Sequence, residues 1–306
     1  MNLFVFGFGY SASHYARTRR GRFAHIAGTA RSVEKRDALR AEGFDAHALE
    51  EPADAAALDA ALAEATHVLV SAPPGPEGDP SLARFADALR RGPALRCVVY
   101  LSTVGVYGDH GGAWIDETTP PAPTNARSAQ RLQAEDAWRA LARARGASCH
   151  VLRLSGIYGP GRNALRNLRA GTAKRIVKPG QVFNRIHVED IARAIDACFD
   201  DAAGPRDAVW NVTDDAPAPP QDVVAYAAAR LGVEPPPEQA FDAAQMTPMA
   251  RSFYSECKRV SNGAIKRALG WSPAYPTYRE AIDALLAAGE GRQAASGSDA
   301  PPKCST

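Results

Sequence analysis

The 306-residue sequence lacks the features that would assign it to several special classes of protein. No apolar run reaches the roughly 18 residues that a membrane-spanning helix requires, so no membrane association is expected. The net charge is only +2 and the arginines are scattered, which argues against nucleic-acid binding. The five cysteines are odd in number, far apart and without metal-ligand spacing. They indicate a reducing, cytoplasmic compartment and no metal site.

A dinucleotide-binding pattern opens the chain. Asn2 to Phe6 is an apolar run rich in β-formers, and a helix is predicted from Ser13 to Arg20. Because this strand begins at residue 2, no signal peptide is expected before it. The linking residues are Gly7, Phe8, Gly9, Tyr10, Ser11 and Ala12.

These linking residues match what a pyrophosphate needs. Gly7 permits a tight turn, Gly9 lets the backbone approach the anion, and Ala12 replaces the third glycine of the usual fingerprint. The helix dipole favours negative charge at the same point. The alternative is an ordinary βα turn. The position after an N-terminal strand favours cofactor binding.

The end of the second predicted strand favours NADP over NAD. This strand runs from Phe23 to Ala30, and Arg31 and Ser32 follow it. An NAD-specific site has an acid near this point, which bonds the ribose 2′-hydroxyl, but no Asp or Glu occurs from residue 21 to residue 33. Arginine makes forked contacts with phosphate oxygens. We therefore expect Arg31 and Ser32 on the 2′-phosphate; the alternative is a solvated surface arginine.

Strands and helices alternate over the first half of the chain. Further strands are predicted at 44–49, 67–71, 96–101 and 148–154, and helices at 33–42, 53–65, 81–91 and 127–145. This alternation predicts an α/β protein with a Rossmann-type, doubly wound parallel sheet. Ligands bind at the carboxyl edge of such a sheet, so Ser71 and Ala72 are expected to flank the cofactor. A hydroxyl in the segment 102–108 would face the nicotinamide; a capping or turn hydroxyl is the alternative.

Six segments in order along the chain carry a family resemblance. They are GFGYSA at 7–12, LSTVGVYGD at 101–109, LRLSGIYGPGRN at 152–163, NRIHVEDIARAI at 184–195, WNVTDD at 210–215 and SNGAIKRALGWSPAYPTYREAI at 261–282. Over about residues 2–287 the chain thereby resembles the extended short-chain dehydrogenase/reductase family, which includes nucleotide-sugar epimerases and dehydratases.

The resemblance implies a division into domains. A Rossmann domain is expected over residues 1–157, and a smaller C-terminal α/β substrate domain over 158–288. Residues 186–213 are expected to return to the Rossmann domain, with a strand over Ala208 to Val212 that joins the smaller domain. From 289 to 306 the composition turns to Gly, Ser, Ala and Pro, which predicts a disordered tail.

The resemblance also implies a catalytic set, and the sequence departs from it. The family uses a Ser or Thr after the fifth strand, and a Tyr and a Lys four residues apart on the long helix. Thr103 matches the hydroxyl, but Arg127 and Arg131 stand at the Tyr and Lys positions when Glu135 fixes the register. Arginine stays protonated and cannot act as the acid/base. Arg131 can still donate to the nicotinamide ribose, and Arg127 either holds an anionic substrate or serves the structure alone.

Other residues are candidates for the missing phenol. Tyr107 and Tyr158 lie in turns on the functional edge of the sheet, where either ring could reach the nicotinamide. Packing at the domain interface is the preferred interpretation of both. Asp109 and His110 are weaker candidates from the same loop.

Basic residues cluster near the start of the smaller domain. They are Arg162, Arg166, Arg169, Lys174 and Arg175. The cluster is interpreted either as a site for a phosphate or carboxylate or as a solvated face.

The sequence thus predicts an atypical member of the family without the Tyr-x-x-x-Lys pair. The expected function is that of an NADP-dependent oxidoreductase or epimerase on a small or sugar-like substrate. The alternative is a non-catalytic NADP-sensing or regulatory protein that keeps the cofactor fold. The expected partner is a small molecule, with no nucleic acid and no membrane, and both a monomer and a homodimer remain open.

Overall fold

A computed structural model describes residues 1–49, 51–91, 95–201 and 206–291. The strands of this part of the chain are β1 (Asn2–Phe6), β2 (His25–Ala30), β3 (Asp45–Ala48), β4 (His67–Val70), β5 (Cys97–Thr103), β6 (Trp114–Ile115), β7 (Ser148–Leu154), β8 (Gly156–Tyr158), β9 (Arg175–Val177), β10 (Arg185–His187), β11 (Asp207–Val212), β12 (Glu238–Ala240) and β13 (Arg259–Val260). The helices are α1 (Tyr10–Thr18), α2 (Val33–Ala41), α3 (Ala55–Ala63), α4 (Pro80–Arg91), α5 (Ala126–Arg145), α6 (Ala164–Arg169), α7 (Val188–Phe199), α8 (Pro220–Leu231), α9 (Pro248–Phe253), α10 (Gly263–Leu269) and α11 (Tyr278–Ala287).

Within the described ranges the central sheet has seven parallel strands in the order β11-β7-β5-β4-β1-β2-β3. The chain runs outward from β1 to β3 and then crosses to β4 on the other side of β1. This reversal makes the carboxyl end of β1 the topological switch point, where open α/β sheets bind ligands. The predicted Rossmann-type, doubly wound α/β fold is confirmed.

Alternation along the strands fills a layer on each face of the sheet. On β1, Leu3 and Val5 enter one apolar cluster, and Phe4 and Phe6 enter the other. The first cluster takes side chains from α1, α2, α7 and α10. The second takes them from α3, α4 and α5. Burial on both faces explains why these strands are nearly continuous apolar runs.

The last strand of the sheet corrects one expectation. β11 pairs in parallel with β7 from Asp207 opposite Cys149 to Val212 opposite Leu154. The strand predicted over Ala208 to Val212 therefore belongs to the central sheet and not to the smaller domain. Its partner is fixed by the crossover through α7, which packs on the same face as α1, and a local sequence pattern does not encode that pairing.

A smaller assembly lies beyond β7. α6, α8 and α11 share an apolar cluster around Leu165, Ala227 and Ile282. Three short strand pairs, β10–β8, β12–β9 and β13–β6, lie outside the central sheet. No helix among the described residues is long and apolar enough to cross a bilayer. The domain boundaries at 157 and 288 stay predictions, and most of the predicted tail, 292–306, lies outside the described residues.

Candidate cofactor and active site

The turn after β1 is held by two neighbouring strands. Gly7 has φ +84°, a conformation that favours glycine, and its N–H donates to Thr29 Oγ1 at 3.0 Å. A Cβ on Gly7 would lie 3.1 Å from the backbone N of Ala72. Ser71 N and Ala72 N both donate to Phe6 O at 2.9 Å, which seats the end of β4 against this turn. The structure thus brings the predicted residues Gly7, Ser71 and Ala72 together.

The helix that follows presents unpaired N–H groups. Gly9 is the N-cap of α1 and offers no side-chain cap. The first hydrogen bond within the helix runs from Ser13 N to Gly9 O at 2.8 Å. The N–H groups of Tyr10, Ser11 and Ala12 therefore point out of the positive end of the helix, in the arrangement that binds phosphate. The residues of this turn fit a dinucleotide diphosphate.

Most side chains of the same turn serve packing. Phe8, Ser11 and Ala12 are 6%, 6% and 0% exposed. Gly28 on β2 lets Phe8 approach, because a Cβ there would lie 2.8 Å from the Phe8 ring. These predicted cofactor residues therefore offer a ligand mainly their backbone. The half-buried Tyr10 differs, since its hydroxyl donates to Pro160 O at 2.9 Å.

Arg31 and Ser32 follow β2 as the sequence predicts, but they differ in freedom. Ser32 caps α2, with its Oγ accepting from Lys35 N at 3.3 Å. A hydrogen bond with Ser32 also lowers the pKa of Glu34. Arg31 is exposed and forms no ion pair with any described carboxylate. Its guanidinium is available to an anionic ligand at the edge of the cofactor turn.

Thr103 ends β5 and caps the short 3₁₀ turn Val104–Tyr107. Its Oγ1 accepts a hydrogen bond from Gly105 N at 3.0 Å. One lone pair of this hydroxyl therefore serves the cap that the alternative interpretation expects. The hydroxyl proton is still available for donation. A Cβ on Gly105 would lie 3.1 Å from Ser128 Oγ and 3.3 Å from Thr103 Oγ1. Ser128, which sequence reasoning missed, therefore flanks the same point as Thr103.

The two arginines of α5 have different environments. Arg127 is exposed in the first turn and pairs with no carboxylate in the part of the chain that the structure describes. Arg131 is half-buried, and its Nη1 donates to Leu101 O at 2.9 Å and to the Tyr100 hydroxyl at 3.3 Å. Arg131 thus fastens α5 to the end of β5. Its expected contact with a cofactor ribose stays a prediction, which its remaining N–H donors would have to make.

The geometry favours the packing interpretation of Tyr107 over the catalytic one. Its ring is fully buried and lies under the Arg153 guanidinium, 4.7 Å from the ring centroid. Its hydroxyl donates to Asn211 Oδ1 at 2.9 Å. Burial also raises its pKa, the direction opposite to that of a phenolic acid/base at neutral pH. Tyr107 thus packs in the interior, and no catalytic role is proposed for it.

Tyr158 is unsuited to replace the phenol for the same reason. Its ring packs against the cluster of α6, α8 and α11 and lies 5.4 Å from the His187 ring. Burial raises its pKa strongly. Its hydroxyl oxygen is buried and finds no hydrogen-bond partner among the described residues.

Asp109 and His110 hold the loop after β5 in place. Asp109 Oδ1 accepts from Cys257 N at 2.6 Å and from Gly111 N at 3.2 Å. The bond from Cys257 N is the main reason why the pKa of Asp109 is lowered. His110 Nε2 lies 3.0 Å from Tyr107 O. The Asp109 carboxylate ties the loop to the segment before β13, and the His110 ring contacts the turn that ends at Tyr107. Both side chains thus have structural partners.

A buried polar network lies directly beneath Thr103. Ser102 on β5 is level with Arg153 on β7, and Arg153 is level with Asn211 on β11. Arg153 Nη2 lies 2.7 Å from Glu135 Oε2, and the two side chains are 5% and 1% exposed. Ser102 Oγ donates to the other oxygen of Glu135. The sequence marks Glu135 only as a register position, although a charged residue inside the apolar run of β7 signals a buried partner.

Comparisons with known proteins agree with this architecture. The family model described as the NAD dependent epimerase/dehydratase family matches residues 82–213. Protein YeeZ of Escherichia coli strain K12 is 30% identical over 243 residues, which cover 76% of this chain and 84% of that protein. A functionally unknown conserved protein from Silicibacter pomeroyi superposes with a TM-score of 0.83 at 47% identity, covering 94% of this chain and 99% of that one.

A more distant structure shares the fold alone. MoeE5, solved with UDP-glucuronic acid and NAD, superposes with a TM-score of 0.71 at 19% identity, covering 92% of this chain and 97% of that one. The match to the family model and the similarity to protein YeeZ show that the chain belongs to the NAD-dependent epimerase/dehydratase family. The resemblance drawn from the six sequence segments is confirmed.

Proposed function

We propose that the protein is an NADP-dependent oxidoreductase or epimerase that acts on a small, polar substrate. The observation that carries the proposal is the exposed guanidinium of Arg31, directly after β2 and without a carboxylate partner in the described ranges. It lies at the position where an NAD-specific site would have an acid. The structures of relatives with NAD support a nicotinamide dinucleotide, and Arg31 is the reason to prefer the 2′-phosphorylated form.

The cofactor would be held mainly by backbone. The N–H groups at the start of α1 would bind the diphosphate, with Gly7 and Gly9 keeping the approach open. Arg31 would pair with the 2′-phosphate, while Ser32 keeps its cap of α2. When bound, the nicotinamide ring accepts or donates a hydride.

The substrate would meet a hydroxyl and a cation. The Thr103 proton is free to donate to a substrate oxygen, which would stabilise negative charge developing there. Arg127 is an exposed cation in the first turn of α5, one turn before Arg131, and suits a substrate with a carboxylate or phosphate. Because neither arginine can exchange a proton and the two candidate tyrosines have raised pKa values, we infer that solvent or the substrate itself supplies the proton.

One observation favours the non-catalytic alternative. Arg131 spends a donor on Leu101 O, which is a structural use of the position that serves catalysis in the family. A protein that only senses NADP needs the cofactor turn and Arg31, but not Thr103 or Arg127.

Calorimetric titration of Arg31→Asp separates the two cofactors. Loss of a charge-assisted pair should weaken NADP about tenfold to a hundredfold and leave NAD nearly unchanged. Arg91→Asp is the matched control, since Arg91 is exposed at the C-terminal end of α4, on the opposite edge of the sheet. Equal losses for NADP and NAD in Arg31→Asp would remove this residue from the phosphate site.

Turnover distinguishes enzyme from sensor. NADPH absorbance is followed with panels of nucleotide sugars and small carboxylated carbonyl compounds, for the wild type and for Thr103→Val. Substrate-dependent oxidation that disappears in Thr103→Val, with NADP binding intact, supports the enzyme. Turnover that survives in Thr103→Val contradicts the role given to this hydroxyl.

A further inference from the structure

We propose that Arg162, from the loop after β8, binds the diphosphate of the cofactor across from α1. The inference rests on the proposed function, because it assigns a further residue to the same cofactor. The Arg162 guanidinium carbon lies 5.8 Å from the centroid of the Tyr10 ring. Tyr10 is the first residue of α1, whose N–H groups form the predicted diphosphate site.

The loop that carries Arg162 is fixed against α1. The Tyr10 hydroxyl donates to Pro160 O at 2.9 Å. Gly159 and Arg162 exchange both backbone hydrogen bonds at 3.0 Å. A Cβ on Gly159 would lie 2.7 Å from Val188 Cγ1 and 2.8 Å from the Tyr10 hydroxyl, so the loop touches α1 and α7 with no room for a side chain. The backbone of Arg162 is therefore held near the start of α1.

The nearby carboxylate is already engaged. Glu290 accepts from Gly161 N at 2.8 Å through Oε1 and from Asn163 Nδ2 at 3.0 Å through Oε2. These contacts fasten the loop, and they order a residue that the sequence assigns to the tail. Arg162 itself is exposed and has no ion-pair partner in the described part of the chain.

Two positive groups thus lie on the side of the chain where Tyr10 opens α1. The N-terminal end of α1 carries partial positive charge, and the Arg162 guanidinium adds a full one next to the ring of the first residue of α1. A diphosphate has oxygens on two sides, so the N–H groups of α1 can take one side and the forked guanidinium the other. Bound cofactor would then join the first βα unit to the loop after β8. Of the two interpretations of the basic cluster, an anion site and a solvated face, Arg162 would take the first.

The test compares a ligand that has the diphosphate with one that lacks it. NADP and adenosine 2′-monophosphate are titrated calorimetrically into the wild type, Arg162→Gln and Arg166→Gln. Arg166 is the matched control, an exposed arginine of the same cluster on α6. Arg162→Gln should weaken NADP about tenfold to a hundredfold while leaving adenosine 2′-monophosphate unchanged, and Arg166→Gln should change neither.

The outcomes separate the two proposals. Equal NADP affinity in Arg162→Gln and Arg166→Gln, with both variants melting like the wild type, overturns the role of Arg162 and leaves the cofactor proposal standing. A loss of both ligands in Arg162→Gln also overturns it, because the effect then lies outside the diphosphate. If the folded wild type binds neither NADP nor NAD, the proposed function fails and this assignment with it.

Discussion

The buried ion pair between Arg153 and Glu135 allows a quantitative prediction of how one substitution changes the stability of the protein. In Arg153→Met the Glu135 carboxylate keeps the Ser102 hydroxyl but loses its only charged partner within the network, 2.7 Å away. Both side chains are almost fully buried, at 5% and 1% exposure. A charge left unpaired in the interior costs about 3–5 kcal/mol. We therefore expect the free energy of unfolding to fall by that amount.

Urea denaturation of four proteins measures this cost. They are the wild type, Arg153→Met, Glu135→Met and the double variant. Because apolar residues of similar volume replace a buried pair at little cost, the double variant should be more stable than Arg153→Met and far from the sum of the single losses. A loss below about 1 kcal/mol in Arg153→Met, or additive losses in the double variant, would refute the reasoning.

Two further predictions concern the cofactor turn and pH. Gly7→Ala forces an L side chain to φ +84° beside Ala72. It should lower the free energy of unfolding by about 1–2 kcal/mol and abolish NADP binding in a titration. Gly146→Ala is the control: at φ +64° in open space, it should lose similar stability but bind NADP normally. Burial raises the pKa of Asp214 to about 8, so the folded protein holds this proton more tightly than the unfolded chain does. The contribution of the protonated carboxyl to stability is therefore complete below the unfolded pKa of about 4 and is lost as pH rises to 8. Asp214→Asn should flatten the fall in stability between pH 4 and 8, by at most about 1.4 kcal/mol per pH unit, and urea midpoints that keep the wild-type pH dependence would contradict this.

Local features of the fold could be predicted from the sequence. The first strand, its glycine turn and the following helix depend on neighbouring residues, and α2 and β7 lie where the pattern puts them. Boundaries shifted where a local turn intervenes. The second strand begins at His25 and not at Phe23, because Phe23 N donates to Arg20 O and closes a 3₁₀ turn.

Long-range pairings could not be predicted. β11 is an edge of the central sheet only because α7 returns the chain beside β7. Tyr107 looks like a site residue in the sequence, but its hydroxyl partner Asn211 is 104 positions away. The same holds for Arg162, whose neighbour Tyr10 opens α1 near the start of the chain. Side-chain roles on the functional edge of the sheet depend on such crossings.

The most direct test of the account is a calorimetric titration of the folded wild-type protein with NADP and NAD in parallel. We predict that both bind at the turn after β1 and that NADP binds more tightly, because Arg31 has no other partner among the described residues. Binding of NAD as tight as NADP would contradict the role of Arg31. Binding of neither would contradict the central claim that the protein uses a nicotinamide dinucleotide.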